Sequence, residues 1–315
     1  MLTVVVSYGT PQQIYSVKED GSDVKRLTSC RTNCFMPNVA RDGSKIVYAR
    51  QDDTTGGINL WSMNVDGSDA KLLHAGGINL LPSWLPDSRH VTWFKRSPSQ
   101  GHNDDHNDSV LYLMDAATGD SRPLFGAPGG APSYGDMMPS VSPDSSRVAF
   151  VSTRSGTARL WVADLDGRNA KLASPGDLTI RLDGPGVRHP VDAPVEQKVP
   201  AWAWEGDAVA HWEGVEMTYL SKFTGVPDPA RDELIVATWA VWLVNMRDGT
   251  RRRVGKGDDP AWSPDGRVAR CYPDPSVGGA RIMVSNIPDG SSQPLPILPH
   301  GTESFGRLAW APRPP

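Results

Sequence analysis

Apolar and polar residues alternate along short runs of roughly six residues, and turn residues interrupt the runs at near-regular intervals. One compound pattern recurs. A Pro opens a β-like run, a Pro-Asp-Gly type turn follows, and a second apolar run closes it. It reads MPNVARDGSKIVYA from Met36, LPSWLPDSRHVTWF from Leu81, MPSVSPDSSRVAFV from Met138, VPAWAWEGDAVAHW from Val199 and DPAWSPDGRVARCY from Asp259. The leading prolines, Pro37, Pro82, Pro139, Pro200 and Pro260, stand 45, 57, 61 and 60 residues apart. That period suits a four-stranded unit plus its loops. A second pattern follows each first one: an aromatic-aliphatic strand ending in a tight turn. It begins at Ile14, Leu60, Leu111, Leu160, Val241 and Ile282. Pro and Gly break the chain too often for long helices.

There are six second halves and five complete first halves. The missing half lies at the C-terminus, where RLAWAPRPP from Arg307 aligns with DPAWSPDGR. The predicted fold is therefore all-β: a six-bladed β-propeller of four-stranded antiparallel blades over residues 1–315. The first blade combines 305–315 with 2–29, so the N- and C-terminal strands pair and close the ring. The other blades fall at about 35–75, 80–125, 137–175, 199–255 and 259–297. A ring buries both faces of every blade, which a lone blade cannot do, and closure removes the open edge. Eleven Trp is a high count. Trp84, Trp202, Trp262 and Trp310 on inner strands, with Trp61, Trp161 and Trp242 on third strands, are read as packing between blades.

Composition narrows the function classes. The net charge of −4 argues against generic nucleic-acid binding. No apolar run approaches ~20 residues, so no membrane span is expected. The N-terminal MLTVVVSYG has no basic stretch and a four-residue apolar run. A cytoplasmic location is expected from it, a processed exported form being the alternative. On that basis the three cysteines, Cys30, Cys34 and Cys271, are expected as free thiols. The C-x3-C pair could otherwise form a disulfide or join a metal site.

The segments DPAWSPDGRVA, MPSVSPDSSRVAFVSTRSG and LWSMNVDGSDAKLL resemble the repeats of TolB-like six-bladed propellers, over nearly the whole chain. The resemblance implies the fold. For function it implies less, because propellers host binders, scaffolds, lyases, lactonases and peptidase caps. The fifth repeat departs most, with Trp204-Glu205-Gly206 in place of Pro-Asp-Gly and a long insertion after it.

In such a blade the short turns share one face. The long segments 96–109, 126–136, 178–199, 214–238 and 298–305 all fall on the other, where binding and catalysis concentrate. Three features on that rim carry chemistry. The loop GHNDDHND gathers His102, Asp104, Asp105, His106 and Asp108, donors suited to a divalent metal ion such as Zn, Mn, Ni or Ca, although its spacing matches no known loop motif. An unliganded solvated loop would have the same composition. The loop RLDGPGVRHPVDAPVEQKV brings Arg181, Arg188, His189, Asp192 and Glu196 to the rim, and Glu303 joins them as a polar ligand-binding set. Asp136 and Asp259 precede inner strands and are expected to tie down loops. In the insertion, VEMTYLSKF is expected as a short helix, with Tyr219 and Lys222 as conceivable acid-base groups on what reads better as a lid.

No Gly-x-Ser-x-Gly, His-Glu-x-x-His or phosphate-binding glycine loop is present. The leading expectation is a binding propeller for a protein, peptide or small polar ligand, with neither nucleic acid nor membrane as partner. The alternative is a lyase, hydrolase or cyclase using His102, His106, His189, His300 or Tyr219 at the channel mouth. A buried His with carboxylate partners would favour the enzyme, and an exposed aromatic patch the binder. Arg251–Arg253 are expected to guard an outer strand edge.

Overall fold

The computed structural model describes residues 2–96, 109–125, 134–173, 179–182, 191–194, 196–214, 240–274, 279–296 and 305–312. Among these residues there is no helix, and every regular element is a β-strand. The chain opens with β1 (Thr3–Tyr8), β2 (Gln13–Lys18) and β3 (Lys25–Arg26). Then come β4 (Cys34–Val39), β5 (Lys45–Gln51), β6 (Ile58–Asn64) and β7 (Lys71–His74). They are followed by β8 (Ile78–Trp84), β9 (His90–Arg96), β10 (Ser109–Asp115) and β11 (Ser121–Pro123). The middle holds β12 (Asp136–Val141), β13 (Arg147–Ser152), β14 (Arg159–Asp164) and β15 (Lys171–Leu172). A hairpin of β16 (Thr179–Leu182) and β17 (Val191–Pro194) precedes β18 (Glu196–Trp202), β19 (Ala208–Gly214), β20 (Ala240–Asn245) and β21 (Arg251–Lys256). The last strands are β22 (Asp258–Trp262), β23 (Arg267–Asp274), β24 (Gly279–Asn286), β25 (Ser292–Pro294) and β26 (Phe305–Ala311).

Four sheets are four-stranded antiparallel meanders: β26-β1-β2-β3, β12 to β15, β18 to β21 and β22 to β25. An eight-stranded sheet joins two more, β4 to β7 and β8 to β11, through a single parallel bridge between Ile58 and Ile78. The two ends of the chain meet in one sheet: Val4 faces Trp310 and Val5 faces Ala309 across β1 and β26. The long segment expected at 178–199 contains the β16–β17 hairpin.

The first strand of each meander packs on the first strand of the next. β4 touches β8, β8 touches β12, β12 touches β18, β18 touches β22, β22 touches β26, and β26 touches β4. Apolar side chains fill the spaces between successive sheets. Leu160 and Val162 of β14, for instance, share a cluster with Trp202, Val209 and Val241 of the following sheet, and with Trp262 of the one after.

The turns explain the Asp-Gly signature. Asp20, Asp42, Asp66, Asp144, Asp248 and Asp289 each accept the backbone N–H two residues on. In five of the six the intervening residue is a glycine of positive φ, as at Gly67 (92°), which a residue with a Cβ adopts only under strain; after Asp144 it is Ser145 (58°).

The inner strands share a second device that the sequence pattern leaves unseen. The residue before each leading proline is left-handed: Met36, Leu81, Met138, Val199 and Asp259 have φ between 44° and 56°. Pairing slips at the same place in all five strands. Each is a β-bulge, in which an extra residue re-aims its side chain and sharpens the local twist. β26 slips at the equivalent point, opposite Ser7, and Arg307 occupies that stretch.

Trp84, Trp202, Trp262 and Trp310 are buried in the clusters between sheets as expected, and five of the seven tryptophans on inner and third strands carry a cation. Arg50, Arg154 and Arg251 lie over the third-strand rings of Trp61, Trp161 and Trp242 at 4.7, 4.9 and 4.7 Å. Arg147 and Arg267 lie over Trp202 and Trp310. A guanidinium on an indole face adds on the order of 1 kcal/mol when partly desolvated.

Candidate functional site

The inner strands enclose one cavity of about 120 Å³. Residues of β4, β8, β12, β18, β22 and β26 all line it. Each of the six contributes from the positions just after its bulge. In β4, β8 and β12 the residue two beyond the bulge position is polar: Asn38, Ser83 and Ser140. In β18, β22 and β26 it is Ala201, Ala261 and Ala309. One half of the wall therefore offers hydrogen-bonding groups and the other half is small and apolar.

The end of the cavity formed by the short turns is spanned by one side chain. Arg41, in the turn after β4, donates to the carbonyl of Trp204, in the turn after β18. Its guanidinium lies 5.4 Å from the centre of the Trp204 ring. Trp204 Nε1 donates in turn to the Trp262 carbonyl at 2.8 Å. Two inner strands lie between β4 and β18 whichever way they are counted, so Arg41 reaches across the cavity. The Trp204-Glu205-Gly206 departure from the repeat thus supplies the floor.

Arg307 also lines the cavity, and it is 8% exposed. Burial disfavours its charge, and Asp259, at the equivalent position of the preceding strand, supports it. The two side chains do not form an ion pair within contact distance. Asp259 was expected to fasten a loop; it is instead pushed up by burial, with Arg307 opposing. Asp136 does fasten its strand, through a 2.7 Å ion pair with Arg154. The free Cys271 is buried close by, its thiol raised by burial and then by Asp259 and Asp258.

Burial, and then the charge of Asp259, push the Asp258 carboxyl up to about 7. The sign for stability follows. Between the ordinary carboxyl value of 3.8 and about 7 the folded chain keeps a proton that the unfolded chain has lost. Stability from this group is complete below pH ~4, falls as pH rises through 7, and is flat above. Asp258→Asn should remove that slope and raise stability at pH 8 by on the order of 2 kcal/mol, after discounting for partial solvent access. Urea unfolding at pH 5 and pH 8 measures it. An unchanged pH slope in the variant would refute the assignment.

A second polar cluster lies inside the β18–β21 sheet. His211 is fully buried, its Nε2 2.7 Å from Glu213 Oε1. Gln197 Nε2 donates to the same carboxylate oxygen at 2.9 Å, and its Oε1 accepts the Leu160 N–H of the neighbouring sheet. Arg251 pairs with both Glu213 oxygens. Burial raises the Glu213 carboxyl, but the hydrogen bonds from His211 and Gln197 and the Arg251 charge outweigh it and hold the group below its ordinary value. Arg251 therefore faces inward, contrary to expectation; of the three arginines, Arg252 and Arg253 are the exposed ones on the outer strand. This is the buried His-carboxylate pair that sequence reasoning sought, but with a ring sealed from solvent. Sequence reasoning counted Asp258 among the polar groups of the rim but missed His211, Glu213 and Arg307. Only the alignment of Arg307 with Asp259 pointed to any of them.

The named rim residues fall largely outside the described residues: His102, Asp104, Asp105, His106, Asp108, Arg188, His189, Tyr219, Lys222, His300 and Glu303. Of the remaining three, backbone pairing sets Arg181 opposite Asp192 in the hairpin and Glu196 opposite Gly214. Among the described residues no group of three or more His, Cys, Asp or Glu could hold a metal ion.

No protein-family profile matches the chain. A TolB homologue from Chlorobium luteolum is 27% identical over 154 residues, 49% of this chain and 32% of that protein. A Tol-Pal system protein TolB from Rhizorhabdus wittichii is 32% identical over 85 residues, 27% of this chain and 18% of that protein. The chain matches about a third or less of the length of these relatives. TolB from Acinetobacter baumannii superposes with a TM-score of 0.71 at 16% identity, covering 99% of this chain and 67% of that one. The chain is a TolB-like β-propeller. The fold extends to enzymes. A puromycin hydrolase gives a TM-score of 0.56 at 14% identity, over 95% of this chain and 44% of that one.

The TolB-like kinship corrects two expectations. TolB homologues are periplasmic proteins of the Tol-Pal system, which overturns the cytoplasmic location expected from the first nine residues. Cys30 and Cys34 are not free thiols; they form a disulfide with Cα atoms 6.1 Å apart, a bond at home in an oxidising compartment.

Proposed function

We propose that this TolB-like chain is a single closed six-bladed propeller, with the blade boundaries given above, that binds a protein partner on its long-loop face. The unbroken cycle of inner-strand packing and the β1–β26 pairing support closure. The partner reading rests on kinship with TolB, one relative being named a Tol-Pal system protein. The floor built by Arg41 and Trp204 supports the polarity: one face carries short, uniform turns and a spanned cavity. The partner then sits on the opposite face, over the connections that include 97–108 and 215–239.

Calorimetry with purified Tol and Pal proteins of the source organism tests this. Saturable binding should be lost when 101–108 is replaced by a Gly-Ser linker and kept in Arg168→Ala on the turn face. No binding to any of these proteins, or loss in Arg168→Ala alone, would refute it. The enzymatic alternative draws on the fold shared with a hydrolase. Turnover abolished by one change among His102, His106, His189 and His300, with binding intact, would establish it instead.

A further inference from the structure

Arg307 is a guanidinium taken out of water without a direct partner among the described residues. Buried charges are normally paired or hydrogen-bonded, because desolvating an ion costs several kcal/mol. Asp259 repays part of this at a distance. Among the described residues, no hydrogen bond or contact ion pair engages the five guanidinium N–H groups. Arg41, the other charged residue lining the cavity, is committed to the Trp204 carbonyl. Among the described residues no carboxylate lines the cavity.

The rest of the wall has the same bias toward donors. Asn38 Oδ1 already accepts the Trp84 N–H at 2.8 Å, which leaves the Asn38 amide N–H groups to give. Ser140 Oγ accepts the Trp202 N–H at 2.9 Å, so its hydroxyl proton remains to donate. Ser83, between them in the ring, makes no side-chain hydrogen bond within the described residues. The three donors sit on consecutive inner strands, and the three alanines opposite leave space and an apolar surface.

We propose that the central cavity is a binding site for a small organic carboxylate, with Arg307 as its cationic partner and Asn38, Ser83 and Ser140 as hydrogen-bond donors. Guanidinium and carboxylate match in geometry and form bidentate pairs. The apolar half of the wall, Ala201, Ala261 and Ala309, selects an anion with a hydrocarbon body over phosphate or sulfate, whose oxygens would face it without partners. The cavity of about 120 Å³ admits a ligand of a few heavy atoms. The same chemistry is offered by a free short-chain carboxylate and by the C-terminus of a peptide. This site is independent of the partner reading: its chemistry lies on the inner strands alone.

Isothermal titration of the whole chain with butyrate at low ionic strength tests it, with butyramide and butylammonium as controls. Butyrate should bind saturably and both controls should fail. Arg307→Gln should weaken binding by about tenfold or more, the loss expected for a charged hydrogen-bond partner. Should that variant not fold, Ala201→Leu keeps every polar group and fills the space; it should abolish binding at unchanged circular dichroism. A short peptide with a free C-terminus, compared with its amidated form, separates the two sources. Butyrate binding that is absent, equal to that of butyramide, or unchanged in both variants overturns the proposal.

Discussion

Deleting residues 305–315 should cost this protein most of its stability. β26 supplies the first strand of the sheet that β1 continues, and Leu308, Ala309, Trp310 and Ala311 are all buried there. Trp310 is 2% exposed and lies in one cluster with Val4, Val6 and Ile282. Full burial of a large apolar side chain contributes about 1.5–3 kcal/mol. Leu308 and Trp310 alone account for roughly 5 kcal/mol, comparable to the lower end of total domain stability. The deletion also bares the edge of β1, with Val4, Val5 and Val6 beside it. An exposed apolar edge recruits other chains. A fall in Tm of about 10 °C or more, or aggregation, is expected. A synthetic 305–315 peptide added in trans should restore part of the loss. Light scattering and a thermal melt read both outcomes; a truncated chain that stays monomeric with the wild-type Tm would refute the closing role of β26.

That strand could be foreseen because RLAWAPRPP keeps the apolar spacing of DPAWSPDGR, and spacing is what a repeat imposes on sequence. The Asp-Gly turns were equally plain, since one side-chain acceptor and one permissive glycine are enough to make them. The bulges were not. A residue before proline is steered away from the right-handed helical region, and an extended conformation is the usual result. Here five such residues, each at a bulge, turn left-handed instead. Met36, Leu81, Met138 and Val199 are apolar at the sequence positions where Asp259 and Arg307 carry charge. The meaning of those two residues lies in comparison among the six inner strands, which no single repeat displays. The disulfide was misjudged for a different reason: the redox compartment was inferred from the first nine residues, and Cys30-x3-Cys34 was interpreted to suit.

The same limit hid Glu213. In VAHWEG it is one more polar residue at the end of an alternating strand, and its partner Arg251 lies 38 residues on, in a basic run that looked like edge protection. Folding makes it the centre of a buried network linking β18, β19 and β21. Glu213→Ala should therefore destabilise the chain by about 3–5 kcal/mol at pH 7, because Arg251 is left as a largely buried charge without its acceptor. Arg251→Ala should cost a similar amount, and the double variant much less than the sum, since both changes remove one shared interaction. The pH response has a definite direction. The carboxyl of Glu213 is held below its ordinary value of 4.5 in the folded chain, so its contribution is complete above that value and is lost as pH falls through the folded one. Wild type should lose stability on acidification to pH 3 by this route, and Glu213→Ala should not. That dependence is opposite to the one at Asp258, where the folded carboxyl is raised. Urea midpoints at pH 7 and pH 3 for the wild type, both single variants and the double variant complete the test. A Glu213→Ala protein within about 0.5 kcal/mol of wild type at pH 7, the range of ordinary surface changes, would mean that water enters the network and that Arg251 needs no internal partner.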